Sequence, residues 1–374
     1  MRRSVVFVLF LLLGSPAHAG SRCDAPRPRG PVGLPETIYV RGACGTFALR
    51  PDGVVLPAHP PGWAPRWASR ALARADERTY IAHPGRHLVL LRDGRILWRS
   101  RLPHGSDNVS VNGDAIAFNA YEHYHPDLWV ARMGSAEQLA AHGENLLGSA
   151  RGGGFFTQRG HDLRVRAADG TLRRRLATVY AAAYDPQTRT LVAVTDTDRL
   201  IRTDGSRVTT LHVLRDVGHA WPSWLQILPN GLIEIESNNR RLFFDSDGGR
   251  FASATLPRTA IDVSGTVSLP RRRGVVFAIH RDGSDRVLLL ERGHRVPRVL
   301  YRRRVHATGC GYGVNLSARG DRLLYWSSPG RALVVLDALG RRRAQDLWPL
   351  VHRIPGFRGH GRTYRASWAS AWNG

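Results

Sequence analysis

The chain has 374 residues, a formal net charge of +24 and 43% hydrophobic residues, which is enough apolar material to bury a large core. All 54 basic residues are arginine, and the absence of lysine excludes any mechanism built on a lysine Schiff base. Three cysteines are too few for a disulfide-rich scaffold and lack the paired spacing of a structural zinc site.

The first 19 residues predict a secretory signal peptide. Arg2 and Arg3 precede the apolar run 5–13, and Ala17-His-Ala19 supplies the small residues of a cleavage site. The apolar run is shorter than the roughly 20 residues needed to span a membrane. We therefore expect a mature chain that begins at residue 20, is secreted or periplasmic, and has no transmembrane segment.

A proline-rich leader is expected at residues 20–35, followed by a single domain from 36 to 374. An oxidising compartment permits one disulfide. Cys23 with Cys44 would tie the leader to the first repeat unit, whereas Cys44 with Cys310 would join the first unit to the last. We expect the bridge between Cys23 and Cys44, and the second pairing stays open.

A glycine-centred turn between two short apolar strands recurs eight times along the chain, at intervals of 35 to 47 residues. Asp-Gly pairs at several of these turns supply the positive φ that a tight hairpin needs. Two further strands precede each turn, as at 108–112 and 115–118. This period, with four strands per repeat, predicts an all-β protein, a β-propeller of eight four-stranded blades, with seven as the alternative. The turns are centred on Gly53, Gly94, Gly134, Gly170, Gly205, Gly248, Gly293 and Gly340.

The two ends of the chain predict how the ring closes. The first unit has only three strands, at 37–40, 46–49 and 54–56, and the terminal segment 363–374 has the pattern of an isolated first strand. A C-terminal strand that joins the first unit removes an open sheet edge, which would otherwise promote aggregation. We expect the C-terminus to complete the first blade.

The eighth unit carries a partial family motif. Ala318-Arg-Gly-Asp321 precedes an apolar strand that ends at Trp326, and a second strand follows at 333–337. This resembles the WD-like repeat of exported, TolB-type periplasmic propellers, whose core is Ser-Pro-Asp-Gly before an apolar strand. The resemblance covers residues 36 to 346 and implies the fold, but no activity. Such propellers usually have six or seven blades, so a count of eight departs from them.

Histidines concentrate on one face of the predicted propeller. Loops between second and third strands, and loops between blades, emerge on the same face and hold 11 of the 15 histidines outside the signal peptide. Imidazoles bind metals, anions and substrates, although histidine is also common in ordinary exposed loops. The candidate ligand-binding residues are His59, His83, His104, His123, His125, His161, His219, His280 and His306.

The densest histidine segment runs from Tyr121 to Asp127. On extended backbone, His123 and His125 lie on the same side, about 7 Å apart. Together with Glu122 they are candidate ligands for one divalent transition metal, and an exposed polar loop is the alternative interpretation.

The charge favours anionic partners. The arginine runs 173–175, 271–273, 302–304 and 341–343 are expected in outer strands or turns, as solvated faces or, alternatively, as an anion site. Export argues against nucleic acid as the partner.

Two functions are compatible with these observations. The first is a monomeric exported binding module that presents a rigid His-rich face to a protein, a glycan or an anionic envelope polymer. The second is a metal-assisted lyase or hydrolase of an acidic polysaccharide, with the metal at His123 and His125. The chain has no Gly-x-Ser-x-Gly elbow, His-Glu-x-x-His motif or phosphate loop to indicate another chemistry.

Overall fold

The computed structural model shows a chain built almost wholly of antiparallel β-strands. The described strands form seven sheets, one of which has seven strands; we divide that sheet at its longest strand and number eight successive units along the chain. The structure describes residues 32–42, 45–57, 71–74, 79–82, 87–92, 95–100, 108–122, 125–214, 222, 224–237, 239–257, 261–262, 265–305, 314–327, 332–352 and 365–368.

Units 1 to 3 follow the predicted pattern of short strands joined by tight connections. Unit 1 contributes three consecutive strands, and units 2 and 3 contribute four each. Their strands are β1 (Ile38–Gly42), β2 (Gly45–Leu49), β3 (Val55–Pro57), β4 (Ala71–Arg74), β5 (Thr79–Ala82), β6 (Val89–Arg92), β7 (Arg95–Arg99), β8 (Val109–Asn112), β9 (Ala115–Glu122), β10 (His125–Arg132) and β11 (Gln138–Ala141).

Units 4 and 5 share one long strand and therefore form a single seven-stranded sheet. The first half of that strand pairs with unit 4 and its second half with unit 5. The strands of units 4 to 6 are β12 (Asn145–Ser149), β13 (Phe155–Arg159), β14 (Asp162–Arg166), the shared β15 (Leu172–Asp185), β16 (Thr190–Thr195), β17 (Arg199–Thr203), β18 (Val208–Val213), β19 (Trp224–Ile227), β20 (Ile233–Ser237), β21 (Arg240–Phe244) and β22 (Arg250–Thr255).

Units 7 and 8 complete the series, together with a last strand near the C-terminus. The first strand of unit 7 is split into two short pieces that both pair with the second strand. The elements are β23 (Ile261–Asp262), β24 (Val267–Ser268), a 3-10 turn (Pro270–Arg272), β25 (Gly274–Arg281), β26 (Ser284–Glu291), β27 (Arg298–Arg304), β28 (Val314–Arg319), β29 (Arg322–Ser327), β30 (Ala332–Asp337), β31 (Gln345–Asp346), α1 (Trp348–Val351) and β32 (Arg365–Trp368).

Antiparallel order gives every unit two distinct ends. One end carries the turns from first to second strand and from third to fourth strand, and we call it the lower end. The opposite, upper end carries the turn from second to third strand and the connection to the next unit. Up-and-down four-stranded sheets that follow one another in this way are the blade arrangement of β-propellers.

The recurring glycines occupy the lower-end turns, as predicted. Seven of the eight adopt a φ between 72° and 96°, a left-handed conformation that glycine tolerates without strain. A Cβ at Gly170 would also lie 2.7 Å from the Ala140 Cβ of the preceding unit. The eighth, Gly94, lies outside the described residues. Glycine therefore serves both the turn and the close approach of neighbouring units.

Aspartate before the glycine stabilises several of these turns. At Asp204, the carboxylate accepts hydrogen bonds from the backbone N–H of Arg207 at 2.8 Å and of Ser206 at 2.9 Å. These bonds, with that from the Ser206 hydroxyl, lower the pKa of Asp204 to about 2. The turn therefore keeps its carboxylate ionised at any physiological pH.

The hydrophobic core lies between units and is not enclosed within any one of them. Each of the seven larger buried clusters in the described residues contains side chains from two neighbouring units. For example, Phe243 of unit 6 stacks on Phe277 of unit 7 with ring centroids 6.5 Å apart. Second and third strands are almost wholly buried, whereas the outermost strands are largely exposed. Each unit is thus stabilised by its neighbours.

Strand β32 joins the two ends of the chain. It pairs antiparallel with β1, with Trp368 opposite Ile38. The Trp368 side chain is completely buried, in a cluster that also contains Phe47 of unit 1 and Leu333 of unit 8. Its backbone N–H donates to the Ser317 hydroxyl of unit 8 at 3.4 Å. The last strand therefore contacts both the first and the eighth unit.

This packing predicts that Trp368→Ala destabilises the protein strongly. Removing a fully buried tryptophan leaves a cavity, and we expect the free energy of unfolding to fall by about 3–5 kcal/mol. The matched control is Trp224→Ala, because the Trp224 side chain is 55% exposed, and a surface change of this kind costs about 0.5 kcal/mol. Urea unfolding followed by tryptophan fluorescence measures both. Equal losses in the two variants contradict a structural role for β32.

Candidate functional site

Three of the predicted ligand histidines lie within the described residues, and all three are at the upper ends of their units, the face predicted from the sequence. His125 begins β10, His161 is in the turn between β13 and β14, and His280 is near the end of β25. They belong to units 3, 4 and 7. The other predicted ligands lie outside the described residues: His59, His83, His104, His123, His219 and His306.

His280 belongs to a buried network that joins units 7 and 8. Its Nδ1 lies 2.8 Å from Asp285 Oδ1, and the two residues are directly opposite across the β25–β26 hairpin. Asp285 is fully buried, and its Oδ2 accepts hydrogen bonds from Tyr325 at 2.7 Å and Ser327 at 3.0 Å. Burial and the negative charge of Asp285 raise the pKa of Tyr325 far above its usual range, so the hydroxyl stays a donor.

His161 is also held by protein groups. Its Nδ1 lies 3.1 Å from the carbonyl oxygen of Val179, and its ring meets Tyr180 edge to face at a centroid distance of 6.5 Å. Both partners belong to β15, where that strand passes from unit 4 to unit 5. His161 therefore helps to hold β15 in place where the strand continues from unit 4 into unit 5.

Of the three predicted metal ligands, Glu122 and His125 lie within the described residues and His123 does not. Glu122 is the last residue of β9, His125 is the first of β10, and the two are paired opposite each other, so the segment is divided between the arms of a hairpin. Within the described ranges, no group of three or more His, Cys, Asp or Glu side chains is placed to hold a metal. His123 lies outside those ranges, and the metal site stays a prediction.

Glu144 is the centre of a second buried network, between units 3 and 4. The side chain is fully buried and accepts hydrogen bonds from Arg166 Nε at 2.6 Å, Arg166 Nη2 at 2.7 Å and Arg164 at 3.3 Å. Arg166 also donates to the carbonyl of Ala140 in unit 3 at 3.4 Å. Burial raises the pKa of Glu144, but the hydrogen bonds of Arg166 and Thr157 and the charges of both arginines outweigh burial and lower it overall.

Glu234 forms a third network, between units 6 and 7. Arg241 lies 3.1 Å from Glu234, and both side chains are almost completely buried. Thr266 of unit 7 donates to the same carboxylate at 2.9 Å, and the Arg241 guanidinium lies 4.6 Å above the ring of Phe277. The carboxylates of Asp285, Glu144 and Glu234 are therefore all bonded to protein groups that connect neighbouring units.

Unlike the buried charges, many exposed arginines have no carboxylate partner among the described residues. The outer strand of unit 7 and the adjacent lower turn of unit 8 form an arginine-rich surface. Arg298 of β27 donates to the carbonyl of Ala338 in that turn at 3.0 Å, and Arg303 bonds Asp346 of β31 at 3.3 Å, so β27 contacts both the turn and the outer strand of unit 8. We call the exposed arginines of this surface the arginine edge: Arg298, Arg341, Arg342 and Arg343.

Few carboxylates balance the arginine edge. Arg341 is paired with Asp321 at 3.2 Å and lies 3.7 Å from Asp337, whereas Arg298, Arg342 and Arg343 form no ion pair with any residue that the structure describes. Val296, two residues before Arg298 in the lower turn of unit 7, is 80% exposed and adds apolar surface. The edge is therefore a positive surface with groups free to contact an anionic partner.

The four arginine runs take the positions that the sequence analysis expects. Residues 173–175 are in the exposed half of β15, 302–304 are in β27, and 271–273 and 341–343 are in turns. The contact between β27 of unit 7 and residues 338–346 of unit 8 was not predicted from the sequence. It depends on how units 7 and 8 pack, which the spacing of the runs does not report.

Comparisons with known proteins give similarity in architecture only. No protein-family description and no curated protein matches the sequence. Similar solved structures include apo AztD from Citrobacter koseri (12% identity, 83% of this chain and 94% of that one, TM-score 0.46) and BamB from Moraxella catarrhalis (13%, 85% and 94%, 0.41). A third is Hsv2p from Kluyveromyces lactis (10%, 71% and 90%, 0.42). Identities this low carry no information about function.

A membrane-spanning helix was not expected in the mature chain. No helix within the described ranges is long and apolar enough to cross a bilayer.

The Glu144 network predicts a pH-dependent contribution to stability. Because the pKa of Glu144 is lowered in the folded protein, its contribution is complete above its ordinary value of 4.5 and is lost as the pH falls below it. Glu144→Gln leaves buried Arg166 without an anion and Arg164 with only the part-exposed Asp162, and we expect it to cost about 3 kcal/mol at pH 7.

The matched control for this prediction is Asp162→Asn. Asp162 is also bonded to Arg164, at 3.1 Å, but its side chain is 39% exposed, so we expect a loss of less than about 1 kcal/mol. Urea unfolding at pH 7 and between pH 5 and 3 measures both effects, and the stability difference between wild type and Glu144→Gln must shrink as the pH falls. A constant difference across this range refutes the assignment.

Proposed function

We propose that this chain is an exported binding protein that presents the arginine edge to an anionic partner, such as an acidic glycan, an envelope polymer or an acidic protein. The observation that carries the proposal is the contact between β27 and the lower turn of unit 8, which brings exposed arginines from two units onto one surface. Carboxylate, sulfate and phosphate groups are the natural ligands of arginine, because its planar fork binds two oxygens at once.

The distribution of buried charge supports a partner-binding surface of this kind. Six carboxylates but only three arginines are buried among the described residues, so the surface is more positive than the net charge alone indicates. The buried acids are Asp127, Glu144, Glu234, Asp245, Asp285 and Asp337. Four of them, Glu144, Glu234, Asp245 and Asp285, bond to a neighbouring unit and so stiffen the scaffold behind the exposed arginines.

We further propose the architecture that presents this surface. The eight units are the eight blades of one propeller domain from residue 36 to 374, closed by β32 on β1. The shared core of units 1 and 8 supports closure, because it places the two ends of the chain in one cluster. The signal sequence supports export, and a disulfide between Cys23 and Cys44 remains part of the proposal.

The His-rich upper face is a second part of the proposed binding surface. His125, His161 and His280 come from three different units, and all lie at upper ends. The two rings with described contacts are already bonded to protein groups, so we assign them to the support of the loops. Any direct contact with a ligand is left to the remaining candidates, His59, His83, His104, His123, His219 and His306.

The test uses the mature chain, residues 20–374, with heparin as a soluble anionic probe. We expect saturable binding that weakens with added salt, because exposed charges are screened. The variant Arg298→Gln, Arg342→Gln, Arg343→Gln removes three charges of the arginine edge, and at about 0.5 kcal/mol each it should weaken binding roughly tenfold. Fluorescence anisotropy of labelled heparin measures the dissociation constant.

The control variant removes the same charge elsewhere. Arg173→Gln, Arg174→Gln, Arg175→Gln neutralises three exposed arginines of β15 in unit 4. We expect this variant to weaken binding by no more than about twofold. Equal losses in the two variants would show that net charge alone is responsible and would overturn the assignment to the arginine edge.

A further inference from the structure

A cavity of about 250 Å³ opens at the lower end, where turns of three consecutive units meet. Asn230 comes from the first turn of unit 6, Ser268 and Arg271 from that of unit 7, and Gly320 from that of unit 8. The cavity shares no lining residue with the arginine edge. It is therefore a separate candidate site.

Arg271 is held at this cavity by an unusual backbone. Its φ of 56° and ψ of 25° are left-handed, a conformation that residues other than glycine rarely adopt. The loop is anchored by buried Leu269, whose N–H donates to the Gly274 carbonyl at 2.9 Å. The Arg271 side chain is exposed and makes no hydrogen bond or ion pair with a described residue. Its guanidinium is therefore available to a ligand.

Asn230 supplies a second unsatisfied group. Its Oδ1 accepts the Leu232 N–H at 3.2 Å, which fixes the orientation of the side-chain amide. The remaining amide nitrogen, Nδ2, is buried and has no hydrogen-bond partner. Buried donors in folded proteins are nearly always paired, and a missing ligand is one explanation of an unpaired one.

We infer that this cavity binds a single oxoanion group of the phosphate class. The exposed Arg271 guanidinium donates to anionic oxygen, Ser268 and Asn230 add polar side chains to the same lining, and none of the described lining residues is acidic. The volume lies just below the range of roughly 300–1,000 Å³ that accommodates drug-sized molecules, so it suits one small anionic group.

Isothermal titration of the mature protein with inorganic phosphate at constant ionic strength tests the inference. We expect saturable binding of one phosphate per chain, weakened at least tenfold by Arg271→Gln. Arg271→Gly provides a second variant that keeps the fold, because glycine adopts a positive φ without strain. It should bind as weakly as Arg271→Gln. Glycerol phosphate is titrated in parallel. If the natural ligand is a phosphate carried by a larger molecule, glycerol phosphate binds more tightly than inorganic phosphate. If the natural ligand is inorganic phosphate, glycerol phosphate binds less tightly.

Arg151→Gln is the matched control. Arg151 is an exposed arginine in the corresponding first turn of unit 4, and it does not line the cavity. We expect its effect on phosphate affinity to stay below twofold. Equal weakening in the Arg151 and Arg271 variants, or binding that does not saturate, identifies an adventitious ion only and overturns the site. Neither result bears on heparin binding at the arginine edge, so the two proposals fail independently.

Discussion

The pairing of β32 with β1 is the interaction on which the rest of the structure depends. Unit 1 has only three strands of its own, and the last strand of the chain supplies the fourth. Through Trp368, the same strand buries apolar surface against both unit 1 and unit 8. Since every larger core cluster is shared between two units, a unit without a neighbour would expose half of its apolar surface. The terminal strand thus stabilises a long series of small sheets that are individually weak.

Arginine has two opposite roles in this architecture. Inside, Arg166 contacts both oxygens of Glu144, a bidentate contact that lysine does not make. Such pairs let carboxylates be buried between units. Outside, arginines on the outermost strands place charge at sheet edges, which discourages edge-to-edge association between molecules. The same exposed groups create the positive potential that attracts an anionic partner, so protection of the edges and recognition arise from one feature of the sequence.

The sequence predicted the repeated architecture well because local rules govern it. Positive φ at the repeated glycines follows from turn geometry, and the isolated strand at the C-terminus follows from counting strands in unit 1. The site was harder to predict. His280 was expected to be a loop ligand, but hairpin register places it opposite Asp285 within the sheet. The cavity at Asn230 and Arg271 depends on turns about 40 residues apart meeting in space, which neither turn encodes locally.

Hydrogen–deuterium exchange of the mature protein, with and without heparin, tests the central claim of an anion-binding outer surface most directly. We expect slower exchange in peptides that cover β27 and residues 338–346, with little change in the outer strand of unit 4. Protection confined to the upper-end loops would contradict the assignment of the arginine edge and favour the His-rich face. An absence of protection anywhere, at saturating heparin, would contradict anionic recognition by this protein.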